Sequence, residues 1–211
     1  MKKIMMMLCL ALVLQRSAQA GFSEGATAYN NKNYAQALKE ITPLAKAGNA
    51  DAENLLGLMY YMGQGVLQDY KQALLWLRKA AGQGNADAQY VVGAMYYTGN
   101  AVPKDSTQAV TWFVKSAEHG HADAQQVLGL MYCYHIGGVP QDVVIAYMLW
   151  NLAAAQGSAK AVKQRTDLLP KLTSEQVAEG QALSAAWHPG LPLPRQSRSG
   201  AGDKAGADTK K

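Results

Sequence analysis

The chain contains three consecutive copies of one sequence pattern. Residues 49–84 (NADAENLLGLMYYMGQGVLQDYKQALLWLRKAAGQG) are followed directly by similar stretches at residues 85–120 and 121–157. Each copy is about 36 residues long and contains two helix-sized segments, which is typical of an α-helical solenoid. Each repeat of a solenoid buries its apolar face only against its neighbours, so function is expected on an extended surface.

The N-terminal end of the chain has the pattern of a secretory signal peptide. Two lysines precede an apolar run from Ile4 to Leu14, and the small-residue pattern Ala18-Gln19-Ala20 follows. The run is shorter than the about 20 residues that a resident membrane helix needs. The sequence therefore predicts a signal peptide over residues 1–20, and a periplasmic or secreted mature chain without a transmembrane segment.

The C-terminal end, residues 188–211, is rich in Pro, Gly, Ser and Lys. Such a composition buries too little apolar surface to offset the entropy of ordering, so a disordered basic tail is expected. The net charge of +5 lies in the signal segment and this tail, while residues 21–187 are close to neutral, so no nucleic-acid partner is expected. Weak attachment of the tail to an anionic envelope polymer is the alternative to a solvated tail.

The first helix of each repeat carries a glycine within its apolar stripe. These glycines, Gly57, Gly93 and Gly129, recur in register. A glycine inside a helix costs about 1 kcal/mol relative to alanine, so its recurrence predicts close approach of two helices.

The second helix of each repeat has recognisable ends. It follows an aspartate that is suited to the N-cap, at Asp69, Asp105 and Asp142. It stops before glycines that favour a left-handed turn, at Gly84, Gly120 and Gly157. We interpret the recurring aspartates as caps and not as a catalytic series.

Shorter repeat-like segments flank the three full copies. Residues 26–48 resemble a partial N-terminal repeat, and residues 158–187 contain two further apolar-periodic stretches, the last capped by Thr173 or Ser174. Terminal caps protect the ends of a solenoid. One folded domain over residues 21–187 is predicted.

The repeat pattern resembles the Sel-one-like repeat (SLR) family, a relative of the tetratricopeptide repeats. The pattern A-x-x-x-L-G-x-x-Y, G-x-G-V, D-x-x-x-A-x-x-W and A-A-x-x-G is met in full by residues 49–84. The third copy departs most, since it has one extra residue and its Trp150 stands one place late. The resemblance implies an all-α fold, a right-handed α/α solenoid of helix-turn-helix repeats. It also implies a non-enzymatic scaffold or adaptor, here of the bacterial cell envelope.

The candidate binding surface follows from this resemblance, which implies that first helices line the concave face. Residues that project opposite the core stripe are expected to bind a protein or peptide partner, because tyrosines and amides suit such interfaces. The alternative is that these residues pack between neighbouring repeats. The candidates are Asn54, Leu58, Tyr61, Tyr90, Tyr97, Gln126 and Leu130.

Other functions find less support in the residues. Some cysteine-rich family members are penicillin-binding or hydrolyse β-lactams, so a β-lactam- or peptidoglycan-interacting hydrolase is the alternative. The chain lacks a Ser-x-x-Lys motif, and after signal removal it keeps only Cys133. We expect no catalytic residue and no cofactor. We also expect no metal site, because His119, His121 and Asp123 occupy variable turn positions. A cell-wall polymer is the alternative partner.

Overall fold

The computed structural model describes residues 20–199, which form ten α-helices, one short 3-10 helix and no strand. The helices are α1 (20–30), α2 (Tyr34–Lys46), α3 (Ala50–Met62), α4 (Tyr70–Gly82), α5 (Ala86–Thr98), α6 (Ser106–Glu118), α7 (Ala122–Tyr134), α8 (Val143–Ala155), α9 (Ala159–Leu168) and α10 (Ser174–Ala186), with the 3-10 turn at Leu169–Lys171. The all-α prediction is confirmed. The signal peptide, except for its last residue, lies outside the described residues. Over residues 20–199 no helix has the length and hydropathy to cross a bilayer.

The chain divides into two compact units, Met1–Ala88 and Gln89–Lys211, which we call the N-terminal and C-terminal units. The N-terminal unit contains α1 to α4, the C-terminal unit contains α6 to α10, and α5 crosses the boundary. Within each unit consecutive helices pack on one another, as expected of helical repeats. Such local packing is expected of an array in which each repeat contacts only its neighbours.

The predicted helix ends are confirmed. The Asp69 carboxylate accepts hydrogen bonds from the backbone N–H groups of Lys71 and Gln72, at 2.8 and 3.0 Å. Asp105 and Asp142 cap α6 and α8 in the same way. The glycines that end the second helices have φ values of +88° to +89°. At the last helix, Thr173 rather than Ser174 is the N-cap, within a capping box.

The repeated first-helix glycines lie where two helices meet. A Cβ atom on Gly57 would stand 2.7 Å from Cγ of Leu77 and 3.1 Å from the backbone nitrogen of that residue. A Cβ on Gly93 would stand 2.9 Å from the Phe113 ring. Contacts this short would require a shift of the second helix, so the close-approach prediction is confirmed.

The structure of the third repeat shows why its tryptophan stands one place late in the sequence. Trp150 packs on Gly129, so it occupies the place that Leu77 and Phe113 hold in the two earlier repeats. Its indole Nε1 donates a hydrogen bond to the backbone oxygen of Gln126, at 3.0 Å. The one-residue offset therefore turns tryptophan from the partly exposed helix flank to the helix–helix contact.

Helix α8 is the core of the C-terminal unit. Every residue from Val144 to Trp150 is at most 3% exposed, so this helix is buried on all sides. A helix that is apolar all round needs cover all round. Helices α7, α9 and α10 supply part of that cover.

The C-terminal segment adds Leu193 to this core. The expected disordered tail is therefore wrong for residues 188–199. These residues lie against the C-terminal unit, with Leu193 and Ser197 only 8% and 4% exposed. The composition of the segment predicts disorder, but it does not report the contacts that other elements offer. The segment is ordered because Leu193 joins the apolar core and because acidic side chains bind its backbone. Residues 200–211 lie outside the described part of the chain.

Candidate interaction site

In the N-terminal unit, helix α3 carries three of the candidate binding residues. Asn54 is only 9% exposed, and its side-chain oxygen has no hydrogen-bond partner among residues 20–199. Leu58 is half-buried, and the half-buried Tyr61 ring lies 5.3 Å from that of Tyr70. Leu58 and Tyr61 therefore offer surface to a partner, whereas Asn54 belongs to the packed interior.

In the C-terminal unit, the two candidate tyrosines of α5 differ in their surroundings. Tyr90 stacks on the ring of His121 at 4.8 Å, and its ring lies 5.7 Å from that of Phe113. Tyr97 is 39% exposed, with the Lys104 ammonium 5.5 Å from its ring centroid. Tyr97 is thus accessible, while Tyr90 is held in place by aromatic contacts.

The two candidates on α7 also separate into a buried and an accessible residue. Gln126 is 6% exposed, and its side-chain amide donates to the side-chain oxygen of Gln164 on α9, at 2.7 Å. Together with the bond from Trp150, this contact makes Gln126 a link between three helices. Leu130 is half-buried and faces an open pocket. The packing alternative therefore applies to Gln126 and the binding interpretation to Leu130.

The pocket beside Leu130 lies between the first helices α7 and α9. Its volume is about 280 Å³. The lining combines apolar side chains with amides and one charge of each sign: Leu130, Cys133, Tyr134, Gln141, Val143, Trp150, Gln164, Asp167, Leu168 and Lys171. Tyr134 is 66% exposed at the rim. This lining offers an anchoring site for an apolar side chain and hydrogen-bonding groups around it.

The thiol in this pocket is not activated. Burial raises the pKa of Cys133, and the nearby Lys171 ammonium opposes this rise only in part. The side chain is therefore protonated near neutral pH, and a thiol is a poor nucleophile. Gln141 donates a hydrogen bond to the backbone oxygen of Cys133, at 3.0 Å, which fixes the pocket wall.

The histidines of the α6–α7 turn have structural partners. His119 Nδ1 lies 2.8 Å from the Lys115 carbonyl oxygen and 3.1 Å from the side-chain oxygen of Gln89. His121 caps α7 by accepting a hydrogen bond from the Ala124 N–H. Across residues 20–199, no three His, Cys, Asp or Glu side chains gather in a way that would hold a metal ion.

A polar pair that recurs in each repeat joins a buried side chain of the first helix to an exposed one at the end of the second helix, and it was not predicted from the sequence. The residue after the first stripe alanine is polar in every repeat, and its side chain meets a residue at the end of the second helix. The pairs are Glu53 with Gln83, Gln89 with His119, and Gln125 with Gln156. The signal was present in the sequence as a polar residue at one fixed place. These pairs join the two helices of a repeat and are not part of the pocket.

The α9 side of the pocket is not among the predicted binding residues, because the sequence predicts only capping helices over residues 158–187. Ser158 caps α9 as Asn49 caps α3, and Ala161 is fully buried like Ala52. By this alignment Asp167 holds in α9 the place of Leu58 in α3. The sequence Ser-Ala-Lys-Ala beside Asn-Ala-Asp-Ala could have identified α9 as the first helix of another pair.

The fold and its repeated contacts define a helical-repeat protein. The Sel1 repeat model matches residues 50–85, 86–121 and 122–158, one residue from the boundaries expected from the sequence. Because these matches cover more than half of the chain, it belongs to the Sel1 repeat family. Proteins of this family are generally non-catalytic scaffolds for protein interactions.

Two solved structures are similar to this chain. A Sel1 repeat protein from Oxalobacter formigenes is 31% identical with a TM-score of 0.66, and the match covers 70% of this chain and 60% of that one. A protective antigen of uropathogenic Escherichia coli strains with an SLR fold is 34% identical with a TM-score of 0.67, covering 77% and 36%. This chain thus spans less than two thirds of either relative. No curated protein matches the sequence significantly.

Proposed function

We propose that this chain is a non-enzymatic adaptor of the bacterial cell envelope that binds a protein or peptide on its first helices. The binding site lies in the C-terminal unit, in the pocket between α7 and α9. The observation that carries the proposal is the lining of this pocket, where apolar groups are surrounded by amides and by one charge of each sign.

The pocket fits a peptide better than a small polar metabolite. Leu130 and Leu168 offer apolar contact area, and the exposed Tyr134 ring adds rigid area at the rim. Lys171 follows α9 at the pocket wall and can pair with an acidic residue of a partner segment, whereas the Asp167 carboxylate is already bound by Lys163 at 2.6 Å. Buried aromatic and aliphatic anchors with a polar rim are characteristic of protein interfaces.

The envelope location rests on the N-terminal sequence. Lysines, a short apolar run and Ala18-Gln19-Ala20 support export and cleavage after Ala20. N-terminal sequencing of the protein purified from its native cells tests this point. We expect the mature chain to begin at Gly21, whereas a chain that retains Met1 would contradict export with cleavage.

Affinity capture from envelope extract tests the binding site. The protein is immobilised as the wild type, as Tyr134→Ser and as the control Leu67→Ser. Both substitutions shorten a well-exposed side chain, Tyr134 at 66% and Leu67 at 92%, so neither is expected to unfold the protein. We expect Tyr134→Ser, and not Leu67→Ser, to lose the captured partner. Equal capture by all three proteins would contradict the proposed site.

A further inference from the structure

Residues 188–199, which we call the C-terminal strap, are held almost entirely by contacts with other elements of the C-terminal unit. The strap begins at the end of α6, where the backbone N–H of Gly190 donates to the Glu118 carbonyl oxygen at 2.8 Å. The N–H of Leu193 then donates to the Glu118 carboxylate at 3.0 Å. The strap therefore leaves α10 and binds directly to the last residue of α6.

The second half of the strap is held by two more carboxylates. The backbone N–H and the hydroxyl of Ser197 donate to the two oxygens of Asp142, at 2.7 and 2.9 Å. The N–H of Arg198 donates to Glu179 of α10 at 2.6 Å, and Ser199 donates to the same carboxylate. Three acidic side chains from α6, the N-cap of α8 and α10 thus bind the backbone of one extended segment.

This arrangement is that of a peptide in a binding site. Leu193 inserts its side chain into the apolar core around α8, and Ser197 is the second buried side chain. The strap forms no helix or strand, so its ordering depends on these anchors. Pro192, Gln196 and Arg198 are exposed. The side chains that this site recognises are therefore one leucine and two serines, which follow it by four and six residues.

The charges around the strap favour an extended segment without acidic residues as the occupant of this site. The strap contains Arg195 and Arg198 and no acidic residue, while each of its side-chain acceptors is a carboxylate. Hydrogen bonds from Ser199 and Arg198 outweigh the opposing effect of burial and lower the pKa of Glu179 below its ordinary value. A basic or neutral extended segment suits this site, whereas an acidic one would be repelled.

We propose that the groove along α8 is a second binding site, which accepts an extended, basic, proline-containing segment of a partner protein with the spacing Leu-x-x-x-Ser-x-Ser. The strap occupies this groove in cis and competes with the partner. Its release removes Leu193 from the apolar core that includes α8, and the leucine of a partner segment would take that place. This groove involves α6, α8 and α10 and is independent of the proposed function of the α7–α9 pocket.

Peptide binding to the full chain tests this proposal. Leu193→Asp removes the apolar anchor and releases the strap, while Leu191→Asp changes an exposed leucine of the same strap, 38% accessible, as the matched control. The probe is a fluorescent peptide with the sequence of residues 188–199, followed by anisotropy. We expect the peptide to bind Leu193→Asp at least tenfold more tightly than the wild type or Leu191→Asp. A second peptide with aspartate in place of its leucine should not bind.

Equal or absent binding of the first peptide to all three proteins would overturn the proposal. Light scattering accompanies the assay, because a dimer of the wild type formed by exchange of straps would make a second copy the occupant and would also overturn it. If Leu193→Asp does not fold, hydrogen exchange of the wild type tests whether the strap leaves its site. We expect the Leu193, Ser197 and Arg198 amides to exchange together and at least a hundredfold faster than amides of α8. Exchange at the α8 rate would mean that the strap is a permanent part of the core.

Discussion

Substitution of Gly57 by alanine tests the role of the repeated glycines most sharply. The added Cβ would stand 2.7 Å from Cγ of Leu77, 3.0 Å from one of its methyl carbons and 3.1 Å from its backbone nitrogen. The leucine side chain is fully buried and the backbone belongs to α4, so neither group can move away freely. Overpacking of this kind costs roughly 1–3 kcal/mol.

The gain in helix propensity opposes this cost. Replacing glycine by alanine inside a helix contributes about 1 kcal/mol of stability. The expected net loss for Gly57→Ala is therefore about 1 kcal/mol, or a decrease in Tm of about 2–4 °C. Gly82→Ala is the matched control, because it also lies in a helix of the N-terminal unit but a Cβ there meets no atom within 4 Å. We expect Gly82→Ala to retain or raise the Tm, by up to about 1 kcal/mol of stability.

Thermal and urea unfolding followed by far-UV circular dichroism measure both variants under the same conditions. The variants are compared by their midpoints at equal transition slopes, since an array of repeats need not unfold in a single step. A Gly57→Ala protein that is as stable as Gly82→Ala would refute the close-approach explanation of the repeated glycines.

Three further outcomes are expected. Replacing Asp105 by alanine removes only a helix cap and should lower the free energy of unfolding by about 1 kcal/mol. Asp142→Ala also removes the acceptor of Ser197 and should lower it further. Equal losses for the two variants in urea unfolding would mean that the strap contact contributes nothing to stability. Because the pKa of Glu179 is lowered from 4.5 in the folded protein, its contribution to strap binding is present above that pH and is lost as the pH falls through the lower value. The protection factors of the strap amides, which compare their exchange rates with the intrinsic rates at the same pH, should therefore fall on acidification in the wild type and fall less in Glu179→Gln. Identical pH profiles for the two proteins would rule this explanation out. The raised pKa of Cys133 predicts that iodoacetamide alkylates it more slowly at pH 7.5 than it alkylates free cysteine. A rate equal to that of the free amino acid would contradict its burial.

Local and periodic features of the fold were predictable from the sequence. An N-cap aspartate such as Asp69 acts within its own first turn, and a glycine such as Gly57 shows its purpose by recurring at the same place. Both inferences need only the neighbouring residues or a comparison of the copies with one another. For this reason the repeat boundaries, the helix ends and the helix–helix contacts agree with the structure.

The candidate surface was less predictable, since periodicity identifies the core face of a helix but not what covers its flanks. Gln126 lies opposite the core stripe of α7, yet the next first helix covers it through Gln164. Tyr90 lies at the equivalent place and is held by His121. Leu130 remains accessible because it stands beside the pocket.

The order of the C-terminal strap does not follow from its own composition. The relevant signal lies elsewhere, in α8. The second helices of the two earlier repeats carry lysines such as Lys79 and Lys115 on their outer sides, while residues 143–155 of α8 contain no charged residue. A helix without a polar side requires a covering segment. The ordered part of the tail could have been anticipated from that difference.

Site-specific photo-crosslinking in the native cells tests the proposed function most directly. A photoreactive amino acid is placed at Tyr134, at the rim of the α7–α9 pocket, and in a separate control at Leu67. We expect a discrete crosslinked protein from Tyr134 and none from Leu67. The same crosslinks from both sites, or none from Tyr134 in a folded and fully expressed protein, would contradict a binding site between α7 and α9.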